Sequence, residues 1–540
     1  MTARTGESRA DRVWLGVALL VHTGLWYLGT SDAALDVDVP NLCCGMVEFD
    51  VTRHCPHPPG YLVYTLLLRA LHALRLGADA PVARIHTAQL LSLSFALGTI
   101  ALTYVSARRV FTRPSAAGWA ALLVALHPLL LFHSVDAQSH TSEAFAAAAL
   151  GLVSLSYVAA PSYRRASALG ILLALGASFR PSFIVFGVPF VASLMGVRRF
   201  NHLVVTGAVS VVGAAAWLLP TFALAGGYEV WSQATNALVR DGFLALTSPL
   251  STTSDEVITG ANLMALGVAA AQLLAPPAVA WLLWRLGGRA KGELAVPLGP
   301  FARAAAIAAA CTFAYYSVTF FSEPGYVLAL LPACAIASAA TVEGPRVGLP
   351  ALVALLVTLT AALLAPQTGT LKMATLDSWQ VRHAMVHLQQ HVFDEALATV
   401  PPDSRVLYVT DSTDITLARQ MPLLREDMDV LLIQNRRHGW SPRSRLNYVT
   451  RTTVHPVPTD YVLGDTGATS VVAERPYDFV LVDNRVSTSA LQIIAEQLRC
   501  PLGRLDDAHL YQLIPVACFR EPKVQFDGLA LELLAPNAPR

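Results

Sequence analysis

Between Leu35 and Tyr64 the chain reads LDVDVPNLCCGMVEFDVTRHCPHPPGYLVY. Asp36, Asp38, Glu48, Asp50, Arg53, His54 and His57 stand here between two apolar stretches, and the run closes on a Pro58-Pro59-Gly60-Tyr61 corner. Ionisable side chains beside a bilayer are costly to keep, which marks them as candidates for function. A carboxylate just beyond a span can take a proton from an attacking hydroxyl, and Asp38 is the candidate general base. An Asp-x-Pro-Asn run also serves as a helix cap, so position alone does not decide between the two. His54 and His57 flank Cys55-Pro56. They can hydrogen-bond a phosphate or an acceptor, or simply belong to a stiff corner in which Gly60 permits the bend. A divalent cation is the third reading, although the His and Asp spacing matches no closed metal site.

Three further stretches carry polar groups of the same kind. HPLLLFHSVDAQSHTSEAF (127–145) brings Asp136, His140 and Glu143 to the head of two apolar segments. Asp136 is the candidate for chemistry, whereas Glu143 suits the first turn of a helix, where the dipole favours a carboxylate. Arg180 sits in SFRPSF between two short apolar segments. A cation at such a break suits an anionic head group, and the bland alternative is an arginine reaching for the interface. Glu323-Pro324-Gly325-Tyr326 makes a turn in which Glu323 and Tyr326 can orient a substrate, or in which Tyr326 is a plain interfacial anchor.

The elements that must hold these groups are membrane spans. Of 540 residues, 54% are hydrophobic and 14% charged, with mean hydropathy +0.49. A soluble domain carries about a quarter charged residues. The net charge of +1 and the absence of a Lys/Arg run argue against a nucleic-acid partner. Residues 13–29 lack a small-residue cleavage site and read as an uncleaved first span. Spans of about 17–25 residues are expected near 86–107, 115–133, 142–160, 202–224, 261–284, 301–321, 325–342 and 347–365, with shorter ones at 166–179 and 181–197. The total is about eleven. Basic clusters such as Arg108/Arg109/Arg113 and Arg164/Arg165 share one side only if residues 60–76, with Arg69, His72 and Arg75, lie along the interface as an amphipathic helix. The candidate residues then share the opposite, outer face. From 367 to 540 the chain reads as a soluble extracytoplasmic α/β domain. Its apolar runs 406–410, 430–434 and 479–483 look like buried parallel strands, flanked by helical patterns at 378–398 and 488–499. No Gly-rich phosphate loop follows them. An outer compartment permits disulfides, so Cys55 can pair with Cys43 or Cys44, and Cys500 with Cys518, while Cys311 and Cys334 lie within spans.

Taken in order, DVPNLCCGMVEFDVTRHCPHPPGYLVY, FHSVDAQ (132–138), SFRPS (178–182) and EPGY (323–326) resemble the GT-C superfamily of membrane glycosyltransferases. The resemblance is to the bacterial branch related to protein O-mannosyltransferases and aminoarabinose transferases, and it covers about residues 10–365. It implies a hexosyl or pentosyl donor linked to polyprenyl phosphate, an inverting transfer to a protein, lipid or polysaccharide acceptor, and a multi-pass protein of the inner membrane. It carries the catalytic first-loop role onto Asp38, the second-loop acidic role onto Asp136, and the contact with the lipid phosphate onto Arg180; His57 joins Arg180 as a candidate partner of the departing phosphate. Val39-Pro40 and Cys43-Cys44 depart from the family's pattern, which leaves Asp36 as the alternative to Asp38. A transporter or flippase of lipid-linked saccharides is the rival reading. Such proteins usually carry internal repeats and polar groups near the midplane, and neither is evident here.

Overall fold

The computed structural model describes residues 9–32, 34, 38–74, 81–196, 199–236, 239, 248–250, 256–286, 299–319, 324–341, 394–395, 397–410, 425, 427–434, 445–449, 454–456, 470–483, 488–500, 511–526 and 529–534. The span expected at 347–365, most of the helix expected at 378–398, Asp36, Arg75 and Glu323 lie outside them. The chain divides into two compact units, one made of residues 1–30, 61–71 and 86–383, the other of 31–60, 72–85 and 384–540.

The helices are α1 (Arg9–Gly29), α2 (Asp38–Gly45), α3 (Leu62–Leu74), α4 (Pro81–Val110), α5 (Pro114–Ala125), α6 (Pro128–Val135), α7 (His140–Ala159), α8 (Tyr163–Phe179), α9 (Phe183–Met195), α10 (Phe200–Leu224), α11 (Tyr228–Asn236), α12 (Glu256–Leu286), α13 (Gly299–Thr319) and α14 (Leu331–Thr341), with α15 (Thr488–Glu496) near the C-terminus. Their ends follow the local sequence. Pro114 and Pro128 open α5 and α6, where a missing N–H costs nothing, and the His127 ring accepts the Leu129 N–H at 3.3 Å. Ser162 caps α8 by accepting the Arg165 N–H. A seven-residue 3-10 segment, Pro324–Leu330, runs straight into α14.

The first unit is an apolar bundle, and the chain is an integral membrane protein. Among the described residues, Ala83–Val110, α7, α10 and α13 are long and apolar enough to cross a bilayer, and α5 with α6, bent by 52°, add a fifth if they form one span. Other apolar helices among the described residues are shorter: α9 has 13 residues and ends at Gly196. The 13 residues of α3 rise about 20 Å, against a hydrocarbon core of about 30 Å. Between lipid-bathed helices, small residues and polar side chains make the contacts. At Gly170 of α8 a Cβ would collide with the Thr206 carbonyl of α10, while Thr206 and Ser210 donate to the Ala166 and Gly170 carbonyls at 2.9 and 3.2 Å.

The second unit contains a six-stranded sheet in the order β4-β3-β2-β1-β6-β7 and a three-stranded sheet in the order β5-β9-β8. The strands are β1 (Val406–Thr410), β2 (Met428–Gln434), β3 (Arg445–Val449), β4 (Val454–Pro456), β5 (Ser470–Pro476), β6 (Phe479–Asp483), β7 (Tyr511–Pro515), β8 (Lys523–Phe526) and β9 (Leu529–Leu534). The three apolar runs expected as strands are the neighbours β2, β1 and β6, and β1 pairs parallel to both. All five residues of β1 are buried, as its unbroken VLYVT run requires of a central parallel strand. A buried carboxylate interrupts this core: Asp429 accepts from Arg475 Nε and Nη2 at 2.7 and 2.8 Å and from the Tyr477 hydroxyl. Cys500 and Cys518 form a disulfide, as the sequence allows.

Candidate active site

The first unit gathers polar groups where α6 turns into α7. The Asp136 N–H closes α6 on the Phe132 carbonyl, Ala137 takes a left-handed φ of 62°, and α7 starts at His140. His133, Ser134, Asp136 and the whole run Gln138–Glu143 are at most 3% exposed. Polar groups are buried at such density only where hydrogen bonds or charge pairs offset the lost hydration. Several do so here. Ser92 donates to the Gln138 carbonyl at 3.0 Å, Trp26 to the Ser134 carbonyl at 2.9 Å, and Ser134 to the Leu131 carbonyl at 2.8 Å.

Arg180 enters this cluster from the break between α8 and α9. It caps α8 in an extended conformation, since Pro181 disfavours a helical residue before it. Its Nη1 donates to Ser139 Oγ at 2.8 Å, and its Nε lies 3.8 Å from Glu143 Oε2, with both side chains buried. Ser182 donates to the other carboxylate oxygen, Oε1, at 2.7 Å. The guanidinium carbon sits 4.8 Å from the Tyr326 ring centre and 6.0 Å from that of Tyr61. Tyr316 stacks on Tyr326 at 4.7 Å and His140 meets its edge at 5.2 Å. Nε makes no hydrogen bond among the described residues, and neither do the buried Gln138 Oε1 and Thr141 Oγ1. Of the guanidinium nitrogens, Nε thus stands unbonded, with the Glu143 carboxylate as its nearest charge partner.

Gly325 makes this packing possible. A Cβ at that position would run into the His140 ring. Gly325→Ala should therefore force the 3-10 segment away from α7 and cost about 1–3 kcal/mol, as overpacking does, read as a lowered midpoint in thermal unfolding of the detergent-solubilised protein.

The second unit holds the other candidate group. Asp38 occupies the first turn of α2, and Pro40 fits without disruption because it falls in that same turn. Asp38 Oδ1 lies 3.6 Å from His57 Nε2. The His57 Nδ1 contacts the Pro58 carbonyl at 2.6 Å. A carbonyl only accepts, so Nδ1 carries the hydrogen and Nε2, the nitrogen that can gain or lose a proton, faces the carboxylate. His54, at a left-handed φ of 59°, sets its ring edge-on to His57 at 5.1 Å. Asp50 Oδ1 accepts the Thr52 N–H at 2.9 Å, and Asp50 pairs with Cys55 in an antiparallel bridge. The disulfide expected from Cys55 goes to Cys44. Its neighbour Cys43 is free and fully buried, and burial pushes its thiol up to about 12 against the pull of Arg84. Among the described residues no group of three or more His, Cys, Asp or Glu is arranged to hold a metal ion.

Each unit thus brings together residues that the sequence singles out: Asp38 with His57, and Arg180 with Tyr326. Asp136 is buried in the α6–α7 turn of the Arg180 cluster. Glu143 does lie in the first turn of α7, but it also faces Arg180, which its place in the sequence does not reveal. Ser139, Ser182 and Tyr316 are not singled out by the sequence, and Tyr61 is marked there only as the end of the Pro58–Tyr61 corner.

No protein-family profile matches the chain, and no curated protein does. Solved structures do. The crystal structure of ArnT from Cupriavidus metallidurans bound to undecaprenyl phosphate aligns over 77% of this chain and 85% of its own, with TM-score 0.52 and 14% identity. The chain shares the fold of ArnT. The apo state of the same ArnT aligns over 76% and 85%, with TM-score 0.50 and 14% identity. The archaeal oligosaccharyltransferase AglB from Archaeoglobus fulgidus, solved with an inhibitory peptide and a dolichol-phosphate, aligns over 77% and 63% with TM-score 0.39 and 13% identity. At this identity, what the chain shares with ArnT is the fold alone.

Proposed function

We propose that this GT-C protein is a membrane glycosyltransferase that moves a sugar from a polyprenyl-phosphate donor to an acceptor at the outer face of the inner membrane. The observation that carries the reading is Arg180: a cation buried in an apolar bundle, backed by Ser139 and two tyrosine faces, whose Nε makes no hydrogen bond among the described residues. A phosphate on a lipid reaches such a group laterally from the bilayer, and no nucleotide pocket is needed. That ArnT was solved with undecaprenyl phosphate supports the same donor class.

In the proposed reaction the donor phosphate is the leaving group. Arg180 stabilises its departing charge, with Tyr326, Glu323 and His57 completing the substrate contacts. Asp38 takes the acceptor's proton, and attack on the far face of the sugar inverts its anomeric centre. Asp136 orients the acceptor from the α6–α7 turn. In this arrangement residues 1–366 form the catalytic domain with about eleven spans, and 367–540 an extracytoplasmic α/β domain. The Cys44–Cys55 and Cys500–Cys518 bridges support an oxidising compartment for both segments.

The test is to incubate the purified full chain, in detergent or nanodiscs, with a panel of radiolabelled polyprenyl-phosphate sugars and membrane acceptors. At least one donor should release its lipid phosphate only when acceptor is present. Failure of every donor, together with movement of lipid-linked saccharide across sealed vesicles, would establish the flippase instead.

A further inference from the structure

The segment that holds Asp38 and His57 is closed on itself. α2 begins with Asp38 and carries Cys44 in its last turn. Cys55 lies two residues before His57 and is bonded to Cys44, 11 residues back along the chain. Cys55 is itself fixed to Asp50 by backbone hydrogen bonds in both directions, at 2.5 and 2.9 Å. Gly45 lies against Pro56, where a Cβ would come within 3.0 Å of the proline ring. The covalent crosslink therefore joins the end of the helix that presents the carboxylate to the turn that presents the imidazole. The two groups meet at 3.6 Å, and only 9% of the His57 side chain is exposed.

The neighbouring thiol does not compete. Cys43 is fully buried and its thiol is pushed up to about 12, so it supplies almost no thiolate at neutral pH to attack the bridge and move it. Exchange of the bridge onto Cys43 is thereby disfavoured.

We propose that the Cys44–Cys55 disulfide is the positioning element for the Asp38–His57 pair, so that sugar transfer runs with the bridge closed and is switched off when a dithiol opens it. This rests on the assignment of Asp38 as the base. Opening transfers two electrons and two protons from the dithiol: the Cys44–Cys55 S–S bond breaks to two thiols and the dithiol becomes a disulfide. A small-molecule disulfide in excess takes the same electrons and protons back and closes the bridge.

The experiment uses the full chain and a Cys44→Ser/Cys55→Ser variant. Turnover should fall about a hundredfold in the variant, the scale of a misplacement of about 1 Å, while the donor KM stays within a factor of two. Dithiothreitol should produce the same loss in the wild type, and oxidised glutathione should restore it there but not in the variant. A Cys500→Ser/Cys518→Ser variant, still sensitive to dithiothreitol, excludes the other bridge as the source. The decisive arm combines the serine variant with Asp38→Asn. If the bridge acts through Asp38, the combined loss equals that of Asp38→Asn alone; losses that multiply, or a serine variant with normal turnover, overturn the proposal. A fully active Asp38→Asn single variant would instead refute the base assignment. Independently of turnover, modification of His57 by diethyl pyrocarbonate, followed by mass spectrometry, should speed up at least tenfold in the serine variant. An unchanged rate would overturn the proposal even if no donor has been found.

Discussion

Asp38→Asn should lower turnover by about two to four orders of magnitude while leaving donor binding intact. Asparagine keeps the size of the side chain and most of its hydrogen bonds but cannot accept the acceptor's proton. The lipid phosphate is assigned to Arg180, so removing a carboxylate from α2 leaves the anion's partner in place. Asp36→Asn is the internal control and should be mild. Single-turnover assays with a saturating labelled donor separate the steps: the chemical step slows in Asp38→Asn, and the bound fraction does not change. A dead Asp36→Asn beside a normal Asp38→Asn would move the base two residues upstream. Full activity in both would remove the mechanism.

Arg180→Ala should act in two ways at once. It removes a charge-assisted contact to the donor, so binding should weaken by about 1.5–3 kcal/mol, or roughly 10- to 150-fold. It also leaves Glu143, 2% exposed, without its cation, and breaking a buried pair from one side costs about 3–5 kcal/mol of stability. The two effects can be separated. Adding Glu143→Gln to Arg180→Ala should recover much of the lost stability, because no charge is then left buried, but none of the donor affinity. Arg180→Lys keeps the charge and loses the planar fork, so it should fall between wild type and Arg180→Ala in binding. Thermal unfolding and equilibrium binding of labelled polyprenyl phosphate read the two quantities independently. Donor affinity that follows stability through all three variants would show Arg180 to be structural only.

What the sequence makes legible is set by range. Hydrophobic length marks the bundle because one window of residues is enough to reveal it, and the VLYVT, VLLIQ and FVLVD runs identify the parallel strands for the same reason. Asp38 and His57 are visible as neighbours within one loop, yet their pairing depends on how α2 folds back, which no local pattern encodes. The choice between Cys43 and Cys44 is likewise undetermined in sequence, since adjacent cysteines are equivalent until a helix turns one inward; α2 buries Cys43 and leaves Cys44 for Cys55. Glu143 fits a first-turn carboxylate so well that its sequence gives no reason to look further. Its meeting with Arg180 needs the α8–α9 break to come back onto α7. Tyr61 and Tyr316 reach the same cation from opposite ends of the bundle's sequence, where only the fold relates them.

The winding of residues 324–330 has a mechanical side. Seven residues are long for a 3-10 helix, whose rise of about 2.0 Å per residue exceeds the α-helical 1.5 Å. The segment is thus about 3.5 Å longer than an α-helix of the same residues, and it carries Tyr326 in its first turn. Rewinding to α would shorten it by that stroke and swing Tyr326 around the axis, because each residue would turn by about 100° rather than 120°. A few ångströms of travel is the distance between a tyrosine packed on a guanidinium and one that leaves room beside it.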